Sequence, residues 1–339
     1  MPDQVAVLQR LEEQVQKALL ANEDDITAAL WNTYQTRLNV LIKDLMWANS
    51  DFLAGEDKAI SRWRALQLDR QSIEMIATHL DGLNKQIATD LVDDLTQFGK
   101  NSYQMTSWAV DQGIPVTTEM RWNLPTDDVI KAFIGAPWQG QMFSDRVGEI
   151  TNTMARQLQQ SLTDGIMAGD SIQDIARDMR KNVGIPEDGR LITRPRASAQ
   201  VYRGLLIART EAMRLNNQMR ERIFNDNKSL MADEVWAAAP AFIRVCDDCA
   251  ERDGMTRAEI EEEYGVGFEI SRPPLHPNCR CMYMMRPKPF QDLLPDSLKA
   301  AGKGLYGDIA DTEMKYVDPS NPGTLLSMKV VPYDEWMAN

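Results

Sequence analysis

Apolar positions recur every three or four residues over most of this chain, the spacing of one face of an α-helix. Val5, Leu8, Leu11, Val15 and Leu19 form a first run, and Leu30, Leu38, Leu41, Ile42 and Leu45 a second. The helical pattern continues from Glu56 to Tyr103 with almost no Gly or Pro. Such stripes predict the seams of a helical bundle, with Trp31, Trp47 and Trp63 suited to core or interface alike. Pro and Gly interrupt the period at Asp111-Gln-Gly-Ile-Pro115 and again at Asn123-Leu-Pro125, which predicts a domain boundary there.

Beyond the break, Ser144 is placed to cap a long helix whose stripe runs Val147, Ile150, Met154, Leu158, Leu162 and Ile166. Ser171-Ile-Gln-Asp174 has the form of a capping box and predicts a shorter helix ending near Gly184. An irregular loop to Arg196 precedes the most regular stripe in the chain: Val201, Leu205, Ala208, Ala212, Leu215, Met219 and Ile223. Arg203, Arg209, Arg214 and Arg220 fall off that stripe, which predicts a charged face beside an apolar one. From Glu234 the texture changes to short strand-like runs at Val235-Trp236, Phe242 to Val245 and Cys281 to Met285. Turns and the acidic run Glu259 to Glu263 separate them.

The expected fold is mainly α. An elongated helical N-terminal domain (1–125) and a helical core (126–230) precede a small α+β cysteine-rich module (231–290) and a C-terminal tail (291–339). The tail mixes a helix, a Gly-rich stretch and the extended run Met328 to Pro332.

At 339 residues and 43% hydrophobic content the chain has enough apolar material for real cores, so global disorder is excluded. No stretch reaches the roughly 18 consecutive apolar residues of a membrane span, and Met1-Pro2-Asp3-Gln4 lacks the layout of a signal peptide. A chain made and kept in a cytosol is expected. A net charge of −13 opposes loose attraction to nucleic acid over the whole surface. From Arg177 to Arg222, however, eleven Lys/Arg stand against five Asp/Glu, so a local basic face on the helix of Arg203, Arg209, Arg214 and Arg220 is a candidate for phosphate or an acidic partner.

All four cysteines fall between Cys246 and Cys281. Cys246-Asp-Asp-Cys249 sets two thiols on one tight turn, and His276-Pro-Asn-Cys279-Arg-Cys281 supplies a second cluster able to close a tetrahedron. Soft thiolates favour zinc, with Cys246, Cys249, Cys279 and Cys281 as the preferred ligands and His276 as alternate. Pro273-Pro274 and Pro277 stiffen the approach to the second cluster. A catalytic zinc keeps an open position and commonly relies on histidines, of which the chain has only His79 and His276, so a structural ion and no enzymatic activity are expected. Asp247, Asp248, Glu251 and Asp253 read as solvated surface.

Two further patterns are discounted. Gly302-Lys-Gly304-Leu-Tyr-Gly307 has the dinucleotide-loop spacing without a βαβ context. Arg209 and Glu211, two apart on a helix, do not face each other and are expected to pair with other elements.

Gly169-Asp-Ser-Ile-Gln-Asp-Ile-Ala176, Ala208-Arg-Thr-Glu211, the Trp236 strand, Arg244-Val-Cys-Asp-Asp-Cys249, Asp253-Gly254 and Pro273-Pro-Leu-His-Pro-Asn-Cys-Arg-Cys281 follow one another in the order seen in the phage Mu F-like family, which residues 130–288 resemble. The family comprises minor head, or head morphogenesis, proteins of tailed phages. The resemblance implies a virion component at the portal vertex, present in host cytoplasm during assembly. Its role would lie in capsid assembly and genome packaging or delivery, with portal, capsid and scaffold proteins as partners and no small-molecule substrate. Phe242 departs from the pattern, standing where an Asp is usual. Two other readings compete: a zinc-dependent nuclease, and an ejection factor that binds DNA non-specifically.

Overall fold

The computed structural model describes residues 4–48, 62–114, 120–168, 170–188, 190, 200–238, 245–267, 270–288, 292, 314–318 and 321–328. Among them the fold is mainly helical: α1 (Gln4–Ala48), α2 (Arg62–Gly113), α3 (Asp127–Gly135), α4 (Phe143–Ala168), α5 (Ile172–Val183), α6 (Gln200–Asp226), β1 (Met231–Ala237), α7 (Asp247–Glu251), α8 (Arg257–Tyr264), β2 (Met282–Pro287), β3 (Met314–Asp318) and β4 (Asn321–Met328). Two compact units form. One comprises Asn22–Thr96 and Asp128–Ala212, the other Met1–Ala21, Gln97–Asp127 and Met213–Asn339.

In the first unit the apolar stripe of α4 is buried at Val147, Ile150, Met154, Leu158 and Leu162, while Ile166 is half-buried. Ser144 lies inside the first turn of α4 and not ahead of it, because the helix already starts at Phe143. Ser171 does cap α5, its Oγ accepting from the Asp174 N–H at 3.2 Å, and Gly184 ends that helix in the left-handed conformation (φ 85°). α5 packs on α4 where Gly165 leaves room: a Cβ there would sit 2.5 Å from Ile175. Gly204 likewise lets α6 meet Tyr34, whose hydroxyl would lie 3.0 Å from an added Cβ. Trp31 is buried, Trp47 is 80% exposed, and the Trp63 side chain lies outside the described residues.

The second unit holds the α+β module. β1 and β2 pair antiparallel, with Trp236 opposite Tyr283 and an irregularity between Met231 and Asp233. The segment after α7 adds a short third rung, since Trp236 N–H donates to Met255 O at 2.8 Å and Gly254 N–H to Trp236 O at 2.9 Å. The acidic run Glu259 to Glu263, read as a separator, lies in a helix: Thr256 and Glu259 form a reciprocal capping box at the start of α8. Arg257 joins this helix to its neighbours through Glu234 (2.7 Å) and Glu221 (3.1 Å). Burial pushes Glu234 up to about 7 against the pull of Arg257.

Among the described residues no strand lies beside the other edge of β2, and side chains of α1 and α6 bond to it instead. Gln16 donates to Arg280 O (2.9 Å) and Asn217 donates to Cys281 O (3.1 Å). Asn217 also accepts from Tyr283 N–H (3.2 Å), Arg220 reaches Tyr283 O (3.4 Å), and Glu12 accepts from Met285 N–H (3.3 Å). Residues 281, 283 and 285 share one edge because strand direction repeats every second residue.

In the tail, β3 and β4 form an antiparallel hairpin, Tyr316 opposite Leu326. The expected strand at Phe242 lies outside the described residues, as do the Gly302 to Gly307 pattern, Pro115 and the run from Lys329 to Pro332.

Candidate metal centre

Cys246 is the extended N-cap residue of α7 and Cys249 lies one turn on, so their thiols share one side of that turn. The second pair arrives from a reversal in which Cys279 N–H donates to His276 O (3.1 Å) and Asn278 adopts φ 64°, a conformation Asn tolerates better than most residues. Cys279 and Cys281, two apart on the way into β2, project to the same side.

The donors converge as two triads that share Cys249: Cys246–Cys249–His276 and Cys249–Cys279–Cys281, the ligand atoms within each lying no more than 4.8 Å apart. His276 Nε2 is 3.1 Å from Cys246 Sγ and 3.4 Å from Cys249 Sγ, and Cys249 Sγ is 3.8 Å from Cys279 Sγ. Zn–S bonds of about 2.3 Å and Zn–N bonds of about 2.0–2.1 Å at tetrahedral angles place two sulfurs about 3.8 Å apart and a sulfur and a nitrogen about 3.6 Å apart. The cluster therefore has the dimensions of a metal site, and its donor set is one a soft cation accepts.

Its electrostatics favour anionic sulfur at Cys279 and Cys246. Hydrogen bonds from Cys249 and Cys281, then His276, hold the Cys279 thiol far below its ordinary range, and Cys249, giving up those hydrogens last, is pushed up. The bond to Cys279 raises His276 to about 10. Desolvation works against a Cys246 thiolate, but hydrogen bonds from Cys249 and the neighbouring His276 outweigh it and lower that thiol.

Cys249, Cys279 and Cys281 are buried in a small core with Trp236, Ile260 and Tyr283, whereas Cys246 is exposed. Trp236 and Tyr283 meet edge to face at 5.6 Å, and the Tyr283 hydroxyl donates to Ser271 O at 2.5 Å. Arg252 lies over the Tyr264 ring at 3.8 Å. The site is thus the centre of the module's own core, while Asp247, Asp248, Glu251 and Asp253 are exposed around it. His79 sits on α2, 3.7 Å from Asp44, and takes no part in either triad.

The four arginines are not one charged face. Arg203 is exposed. Arg209 pairs with Glu23 (3.0 Å) and Asp24 (3.3 Å), and Arg220 with Glu12 (2.9 Å). Arg214 and Arg220 are 2% and 0% exposed, which corrects the expectation of a solvated basic face. A wider band of α6 is enclosed than its apolar stripe marks, because ionic partners on other helices make those positions burial-compatible. Glu211 pairs with Arg146 at 2.5 Å, both buried, so Arg209 and Glu211 do turn to different partners.

Gln16, Asn217 and Glu12 were not picked out by sequence reasoning. Their signal was a polar residue set among the apolar positions of a stripe, Glu12 and Gln16 between Leu8 and Leu19, and Asn217 between Leu215 and Met219.

A family model described as Phage Mu protein F like protein matches residues 156–284, less than half of the chain, and the match includes all five candidate ligands. Neither the comparison with curated proteins nor that with solved structures finds a match. Among the described residues no helix is long and apolar enough to cross a membrane.

Proposed function

We propose that this chain is a minor head protein of a tailed phage, a non-catalytic component of the portal vertex that acts in head assembly and genome packaging or delivery. The observation that carries this reading is the match of residues 156–284 to the Mu F-like family, which spans the end of α4, α5, α6 and the cysteine module as far as the first half of β2. Its partners are portal protein and neighbouring capsid or scaffold proteins, and it resides in the virion after assembly in host cytoplasm.

Within that reading the module is stapled by one zinc ion. The geometry supports Cys246, Cys249 and His276 as ligands, with the remaining position filled from the Cys279–Cys281 pair that closes on Cys249 in the second triad, so His276 moves from alternate to principal ligand. Four donors around one ion leave no open position, which suits a structural metal whose binding stabilises the fold. The burial of Arg214 and the pairing of Arg209 and Arg220 argue against a DNA-binding role for this helix.

The test is a pull-down of the purified chain against the portal protein of the same phage, with elemental analysis of the same sample. Retention on portal with about one zinc per chain is expected. No retention under packaging-like ionic conditions would overturn the assignment to the head, and a metal-free yet folded chain would overturn the staple.

A further inference from the structure

The Cys281 thiol, two residues beyond Cys279, takes its direction from the peptide planes on either side of Cys281, whose carbonyls are Arg280 O and Cys281 O. Those planes are held from outside the module. Gln16 Nε2, on α1, donates to Arg280 O at 2.9 Å, and Asn217 Nδ2, on α6, donates to Cys281 O at 3.1 Å. The Asn217 amide is itself fixed: its Nδ2 also donates to Met213 O (2.9 Å) and its Oδ1 accepts from Tyr283 N–H (3.2 Å). Turning the amide over would set donor against donor at Tyr283 and acceptor against acceptor at Cys281, so one orientation is selected. Both side chains are buried, Gln16 at 1% and Asn217 at 8% exposure, where a hydrogen bond is not readily replaced by water.

We propose that Gln16 and Asn217 are positioning residues of the metal centre, fixing the backbone at Cys281 so that its thiol is aimed before the ion arrives. The proposal rests on the reading of the cysteine cluster as a metal site. Neither residue touches the ion. They act through the backbone of the ligand-bearing segment, as outer-sphere groups commonly do, and such groups are typically worth roughly 10- to 100-fold in metal affinity. By reciprocity, the ion must in turn tighten the bonds Asn217 makes to β2.

The experiment uses the full chain with Zn(II) in competition against a chromogenic chelator. Asn217→Asp and Gln16→Glu keep side-chain size and remove the donor. Asn182→Asp removes a donor of the same kind, to Ser161 Oγ, in the other unit. Roughly tenfold or greater loss of zinc affinity is expected for the first two and none for the third. Amide exchange supplies a second readout: Tyr283 N–H in the wild-type chain should exchange more slowly with zinc bound than after chelation. Wild-type affinity in folded Asn217→Asp and Gln16→Glu would overturn the positioning role and leave the metal site standing. A wild-type chain that binds no zinc would overturn the metal reading itself. Should either variant fail to fold, Tyr283 exchange decides, and a rate indifferent to zinc would sink the proposal.

Discussion

Glu12 and Arg220 are opposite charges enclosed at 2.9 Å, both side chains fully buried. Burial pushes Glu12 up to about 7, even though Arg220 and the Met285 N–H favour its charged form. A carboxyl raised above its ordinary value of about 4.5 holds in the folded state a proton that the unfolded chain releases. Its contribution to stability is therefore complete below about pH 4.5 and is lost as pH rises through about 7. Urea unfolding of Glu12→Gln between pH 5 and 8 should show a shallower fall in stability than the wild-type chain; equal slopes would show that Glu12 is not the titrating group. Removing the partner is a harsher change. Arg220→Met leaves a buried carboxyl unpaired and should cost about 3–5 kcal/mol, read from the shift of the urea midpoint at pH 8. At the proposed metal centre, His276→Ala should cut zinc stoichiometry. A full complement of zinc in that variant would restore the four-cysteine set that spacing alone favours.

Elements here start and stop where local chemistry tells them to. Ser171 and Gly184 frame α5, and both ends were readable, because a cap is a contact between residues three or four apart and needs no tertiary context. The same signature at Thr256 and Glu259 marks α8, yet the acidic run after it drew the reading toward a separator. Ser171→Ala and Thr256→Ala should each cost about 1 kcal/mol by chemical denaturation. Strands β1 and β2 were legible from Val235-Trp236 and Cys281 to Met285, although their pairing brings together residues about fifty apart in sequence. Trp236→Ala removes the largest ring of the module core and should cost about 3–5 kcal/mol, with a drop in zinc retention on the same sample. A variant as stable as wild type would mean that the ring is not packed as described.

Across the whole molecule, on the proposed zinc reading, the cysteine module depends on its ion and the helical units on their stripes, so the two should respond differently to chelation. Stripping zinc should raise amide exchange across β1, β2 and α8 while leaving α4 and α5 protected, because their core is built from Val147, Ile150, Met154, Leu158 and Ile175 with no metal donor among them. Uniform loss of protection would show that the metal holds both units. The sequence by itself determined the helical class, the main stripes, the cap of α5 and the choice of four cysteines and His276 as candidate donors, since these follow from spacing along a single segment. Only the tertiary structure decided that Arg214 and Arg220 point inward, that Arg146 meets Glu211, that His276 stands by both Cys246 and Cys249, and that Gln16 and Asn217 donate to the backbone at Arg280 and Cys281. Each of those outcomes joins residues separated by between 27 and 264 positions or depends on what covers a helix face, and no local period carries that information.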